Sequence, residues 1–119
     1  VKAVKSILEA EGTSVEEMDV NENYSYESDV YENFVIEKVR EDVISVEQYY
    51  TQRMDRMRDP EVRFDVSDPD DWTPIEFRQD PGVYDRDENG IDLEGFLSTW
   101  DSNLQSQYPA EEIVGGENQ

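Results

Sequence analysis

The sequence predicts an α+β domain: an antiparallel sheet of about four strands packed by an N-terminal and a C-terminal helix. Three observations carry this. Apolar residues recur at helical spacing at both ends of the chain, and between the ends they alternate with polar residues. The connections are short and turn-like, which favours antiparallel neighbours over crossovers.

Val4, Ile7 and Leu8 form the apolar stripe of a first helix over Val1–Glu11, and Gly12 suits the position after its end. Ser14-Val15-Glu16-Glu17 reads as a capping box opening a short second helix that carries Val15 and Met18. Residues 21–29 are polar, acidic and dotted with tyrosine, and read as a loop or irregular edge. The period changes at Tyr31: Phe34-Val35-Ile36 belong to a β-type run ending near Arg40, and Glu41-Asp42 marks a turn. Val43–Thr51 is β-branched and aromatic, the strongest strand signal in the chain. Val62, Phe64 and Val66 alternate with Arg63, Asp65 and Ser67 in a third strand, bounded by Pro60 and by the turn residues Asp68–Asp71. Ile75 and Phe77 alternate with Glu76 and Arg78 in a fourth, whose Pro74 belongs at an edge or first position. Asp80-Pro81-Gly82 and residues 85–90 are turns. Leu93, Phe96, Leu97, Trp100 and Leu104 then give the best helix, with Asp92 as its cap and Pro109 beyond its end. Gly95 costs that helix about 1 kcal/mol against Ala, and its small size suggests close approach of the sheet. The organisation is one domain over 1–108 and an acidic flexible tail over 109–119.

The chain holds 31 acidic against 10 basic residues, a formal charge of −21 over 119 residues. Two settings explain such a balance: a cytoplasm near salt saturation, or imitation of a polyanion. The acids run along the whole length instead of concentrating in one stripe, which favours salt adaptation. Histidine and cysteine are absent. That excludes disulfides, thiolate chemistry, Ser-His-Asp triads, imidazole acid–base catalysis and nearly all zinc sites. No apolar run approaches the ~20 residues of a membrane span, and no signal peptide is visible, so a cytoplasmic or virion-associated protein is expected. The charge disfavours direct nucleic-acid binding, and the expected partner is a protein.

The segment Tyr49–Asp59 reverses the sign of the chain locally, with Arg53, Arg56 and Arg58, and Arg63 shortly after. Arginine forks suit carboxylate or phosphate partners. The candidate binding residues are Tyr49, Tyr50, Gln52, Arg53, Asp55, Arg56, Arg58, Asp59, Arg78 and Asp80; no catalytic residue is assigned. The plainer reading, which the local charge balance favours, is that these arginines pair with Asp55, Asp59, Glu61 and Asp65 and pin a loop between two strands. Tyr49, Tyr50, Trp72 and Trp100 read as core or rim aromatics.

Ser45–Gln52, Met57-Arg58-Asp59-Pro60-Glu61, Trp72–Asp80 and Phe96–Gln107 resemble, in order, the blocks of a family of small domains of unknown function found on plasmids, integrative elements and phages. The resemblance extends from the first helix to Gln107. It departs at Glu47-Gln48, where the family pattern has Ala-His, and at Arg53-Met54, where it has Asn-Gly, removing the glycine on which a tight turn would rest. The resemblance implies a mobile-element origin and no particular activity. The expected function is that of a small non-enzymatic accessory or interaction protein of a haloarchaeal plasmid or virus. The alternatives are a DNA-mimicking or anti-defence inhibitor, and a hydrolase or nuclease working through carboxylate-held Mg²⁺.

Asp85, Asp87 and Asn89, before Gly90, stand where the first half of a calcium loop would place its oxygens. The second half fails, because position twelve is the apolar Phe96. The competing reading is an Asn-Gly turn with acids around it. No cofactor is expected beyond calcium or magnesium at such carboxylates.

Repulsion among the acids penalises the compact state in dilute buffer, and at 1 M salt the Debye length falls to about 3 Å and screens it. The chain is expected to be folded above molar KCl and loosened or unfolded in dilute buffer. Circular dichroism across a KCl titration checks this, and an unchanged spectrum down to dilute buffer would count against salt adaptation.

Overall fold

A helix, six strands and two further helices follow one another in the computed structural model, which describes residues 1–28 and 30–113. They are α1 Lys2–Ala10, β1 Asn23–Tyr26, β2 Asn33–Arg40, β3 Val43–Gln52, β4 Asp55–Asp65, β5 Thr73–Gln79, β6 Val83–Arg86, α2 Glu94–Gln107 and α3 Ala110–Ile113. The class is α+β, as expected. The strands form one antiparallel sheet in sequence order, β1 to β6. It has six strands where about four were expected. The two additions are β1, inside the acidic tyrosine-dotted segment, and β6, which overlaps the turn expected at 85–90. Of the expected tail, 110–113 form α3, and 114–119 lie outside the described residues.

The chain divides into two compact units, one made of Val1–Met18 with the C-terminal part from Leu93, the other of Asp19–Asp92. In the first, α1 packs with α2 and α3. Its apolar stripe of Ala3, Val4, Ile7 and Leu8 is buried, as are Trp100, Leu104 and Tyr108. The N-terminal amides of α1 are satisfied from a distance: Lys2 N and Ala3 N donate to the Asp101 carboxylate at 3.1 and 2.9 Å. A negative charge there also complements the helix dipole. At the other end Gly12 takes φ +83°, and Gly12 N and Thr13 N return to Glu9 O and Leu8 O, a Schellman stop.

The expected second helix is only a turn. One capping-box bond forms, Glu17 N donating to Ser14 Oγ at 3.3 Å, and the Ser14 hydroxyl donates to Glu17 Oε1 at 3.4 Å, but no helix follows. In α2 the cap position is Leu93 with no side-chain cap bond, in place of Asp92. Phe96 is exposed and stacks on Trp100 at 5.8 Å. Nothing lies within 4 Å of a Cβ built on Gly95, so no close approach requires that glycine.

In the sheet unit, alternation sorts the strands into two faces. Tyr26, Phe34, Ile36, Ile44, Val46, Val62 and Phe64 share one face and are buried. The other face carries polar rows across the strands. One row runs Asn23, Glu37, Ser45, Arg63, Glu76, Arg86, and the next ends Glu47, Glu61, Arg78, Tyr84. Strand β4 begins five residues before Pro60, which was expected to precede it. Between Glu61 and Arg58 the register of β4 slips by one against β3, leaving Asp59 and Pro60 opposite Gln48. A bulge is where a strand tolerates a residue with no N–H to donate.

Gln52 pairs with Asp55, so the β3–β4 hairpin closes over Arg53 and Met54 alone. Both are left-handed, at φ 52° and 73°. A tight turn therefore exists without the glycine that the family pattern puts there, and two side-chain-bearing residues occupy a conformation suited to Asn-Gly. Met54 is 95% exposed, so no contact compensates. The double variant Arg53→Asn, Met54→Gly is expected to raise stability by about 1–2 kcal/mol, read by chemical denaturation in molar salt; an unchanged or lower stability would refute strain at this turn.

Candidate functional site

The β4 bulge gathers the family-like blocks at one place on the polar face. Arg58, the residue before it, is the hub. Its backbone N donates to Asp80 Oδ2 at 2.9 Å, and its guanidinium lies 3.5 Å from the same oxygen, 3.3 Å from Glu61 Oε1 and 3.6 Å from Glu47 Oε2. Glu61 Oε2 accepts from Ser45 Oγ at 2.7 Å and from Arg63 Nε at 3.1 Å. Arg63 Nε also reaches Glu76 at 3.2 Å. Arg56 closes the array, hydrogen-bonding Glu47 through Nη2 while its guanidinium lies 3.8 Å above the Tyr49 ring, a stacking geometry suited to arginine. Burial pushes the Glu47 carboxyl up, and the hydrogen bond from Arg56 opposes that.

Beside this array is a carboxyl pair. Asp59 Oδ1 accepts from Gln79 Nε2 at 2.7 Å. Asp59 also takes a hydrogen bond from Glu32, just before β2. Burial, then the bond and charge of Asp59, raise the Glu32 carboxyl from its ordinary 4.5 to about 7.

Of the residues nominated from sequence, Tyr49, Arg56, Arg58, Asp59 and Asp80 come together here. Tyr50 pairs with Met57 one position along, on the opposite face from Tyr49. Gln52, Arg53 and Asp55 sit at the exposed hairpin tip, away from the array. Arg78 lies over the Tyr84 ring at 4.8 Å. The arginines do pair with acids, but the acids are Glu47, Glu61, Glu76 and Asp80; of the four expected partners only Glu61 is among them, and the segment is strand and tight turn instead of loop. Sequence reasoning missed Glu47, Glu61 and Gln79 as site residues although all three stand inside the quoted blocks. Glu32 carries no motif that could have found it.

Asp85 lies in β6 opposite Phe77. Asp87 N donates to Ile75 O, and its carboxylate accepts from Asn89 N at 2.9 Å. Gly90 N returns to Asp87 O, completing a turn. Among the described residues no group of three or more Asp or Glu is arranged to hold a metal ion, and no helix is long and apolar enough to cross a membrane.

The raised carboxyl has a signed consequence. The fold keeps the Glu32 proton where the unfolded chain has lost it, so this contribution is full below pH 4.5 and is lost as pH rises to about 7. Glu32 is partly exposed, and solvent screening reduces the effect to about 1 kcal/mol. Glu32→Gln, which can still donate to Asp59, is expected to be more stable than the parent above pH 7 by about that amount and to flatten the stability profile between pH 5 and 7. Unfolding curves at several pH values in molar salt decide; parallel profiles would remove the pair.

No curated protein and no solved structure is matched by the chain. One family model matches, over residues 2–109, and it carries the description "Domain of unknown function (DUF6908)". With nearly its whole length covered, from α1 through the sheet to the end of α2, the chain belongs to that family of domains of unknown function.

Proposed function

We propose that the chain is a non-enzymatic interaction protein, an accessory of a plasmid or virus in a salt-adapted archaeal host, and that it meets a protein partner through the polar face of its sheet. One observation carries this reading. The residues of the family-like blocks engage one another: Arg58 with Asp80, Glu61 and Glu47, and Asp59 with Gln79. The result is a rigid surface of alternating fixed charges edged by Tyr49 and Tyr84, each under an arginine. Fixed, alternating charges give register and selectivity to a protein contact more than raw affinity. Partly buried pairs such as these also persist in brine, because salt screens them much less than exposed charges.

Affinity purification from the host at its own salt concentration tests this. The expected outcome is a specific protein retained by the parent chain and lost from Arg78→Glu, whose substitution reverses a half-exposed charge on the face. Retained nucleic acid, or a metal-dependent hydrolysis lost on changing Asp55, Asp59 or Asp80, would overturn the reading.

A further inference from the structure

Three arginines converge at one end of the sheet, away from the bulge. Arg40 at the end of β2, Arg63 in β4 and Arg86 at the end of β6 line a cavity of about 240 Å³, with Ile75 and Glu76 completing its wall. Their fixed bonds use few of their donors. Each guanidinium has five N–H groups. Arg63 engages Glu61 and Glu76 through Nε, and Arg86 engages Glu88 through Nη2. Among the described residues Arg40 forms no salt bridge, although Asp65 feels its charge. The terminal nitrogens of Arg63, Nε and Nη1 of Arg86 and the whole Arg40 fork are therefore available. Glu76, the one acid in the wall, is occupied on both oxygens: Arg63 holds Oε2 at 3.2 Å and the Tyr84 hydroxyl donates to Oε1 at 2.6 Å.

We propose that this cavity binds a small phosphoryl oxyanion, inorganic phosphate or a phosphate monoester. Three forks from three different strands surround the space, which suits a tetrahedral group with three or four acceptor oxygens; a planar carboxylate is satisfied by one fork. The volume is below the roughly 300–1,000 Å³ of pockets that enclose larger ligands. Glu61, Glu76 and Glu88 act as positioning residues that hold the forks. They also offset much of the arginine charge, so binding rests on aimed donors and not on a long-range field. The chain's charge of −21 opposes any anion in dilute buffer, but in molar salt that repulsion decays within about 3 Å.

Phosphorus NMR titration of the intact chain in molar KCl tests the site, with inorganic phosphate and O-phosphoserine as separate probes and acetate added as a competitor whose affinity is read from their displacement. Saturable binding at millimolar concentration or below is expected. Arg40→Gln and Arg86→Gln are each expected to weaken it about tenfold or more, whereas Lys2→Gln leaves it unchanged. Both arginines are exposed, and circular dichroism of the variants verifies that they fold. Equal binding of the two probes identifies the free anion as sufficient, and tighter O-phosphoserine identifies a monoester; either supports the assignment. No saturable binding of either probe, acetate bound as tightly as phosphate, or affinity indifferent to both substitutions would overturn it.

Discussion

Glu47 and Glu61 stand directly opposite each other on β3 and β4, both largely buried. Like charges in that arrangement destabilise a sheet, and the polar face is organised around neutralising them. Arg58 reaches both, Arg56 takes the far side of Glu47, and Ser45 and Arg63 take the far side of Glu61. Stripping a partner from such an array leaves an uncompensated buried charge, which costs about 3–5 kcal/mol. The bulge makes the arrangement geometrically available. Arg58 lies three residues before Glu61, an odd separation that would aim it at the opposite face of a regular strand. The extra residue at Asp59-Pro60 returns it to the face where Glu61 lies and sets it opposite Tyr49.

Much of this was legible in the sequence, and the failures have physical reasons. The helices at the ends and the strands around Ile36, Val46, Phe64 and Ile75 carry strong periodic signals because each has one deeply buried side. Strand β1 was hidden because Asn23–Tyr26 is four residues long with one buried side chain. Strand β6 was hidden because all four of its residues are exposed, so no alternation marks it. Pro60 read as a boundary because a proline interrupts a regular ladder; only the bulge accommodates it. The turn residues Ser14–Met18 carried a true local capping signal, but local hydrogen bonds do not extend a helix by themselves. At the site, the blocks pointed to Arg58, Asp59 and Asp80. The partners of the arginines were misassigned, since neighbours in sequence were weighed where neighbours across the sheet decide.

The overall acidity conceals a strong asymmetry. Arg56, Arg58, Arg63, Arg78 and Arg86, half of the chain's ten basic residues, lie on one face of three adjacent strands. The acids they meet are fixed partners, while many of the other carboxylates among the described residues lie in turns and helices. Under the salt-adapted reading, the diffuse acids keep the protein hydrated and the sheet face keeps its specificity. These are separate uses of charge, with different ranges, and salt weakens the first kind far more than the second.

The Asp101 cap on α1 gives the chain a defined order of completion. Helix α1 is made before the sheet, yet the carboxylate that satisfies its leading amides comes 98 and 99 residues later. Its packing partners α2 and α3 are synthesised only after the whole sheet. The sheet unit, by contrast, is one continuous segment whose pairings all join consecutive strands. During translation the meander can therefore finish strand by strand, while α1 lacks its α2 and α3 contacts until those helices emerge. A ribosome that stops before Trp100-Asp101 therefore leaves α1 without its cap and without the α2 and α3 residues it packs against.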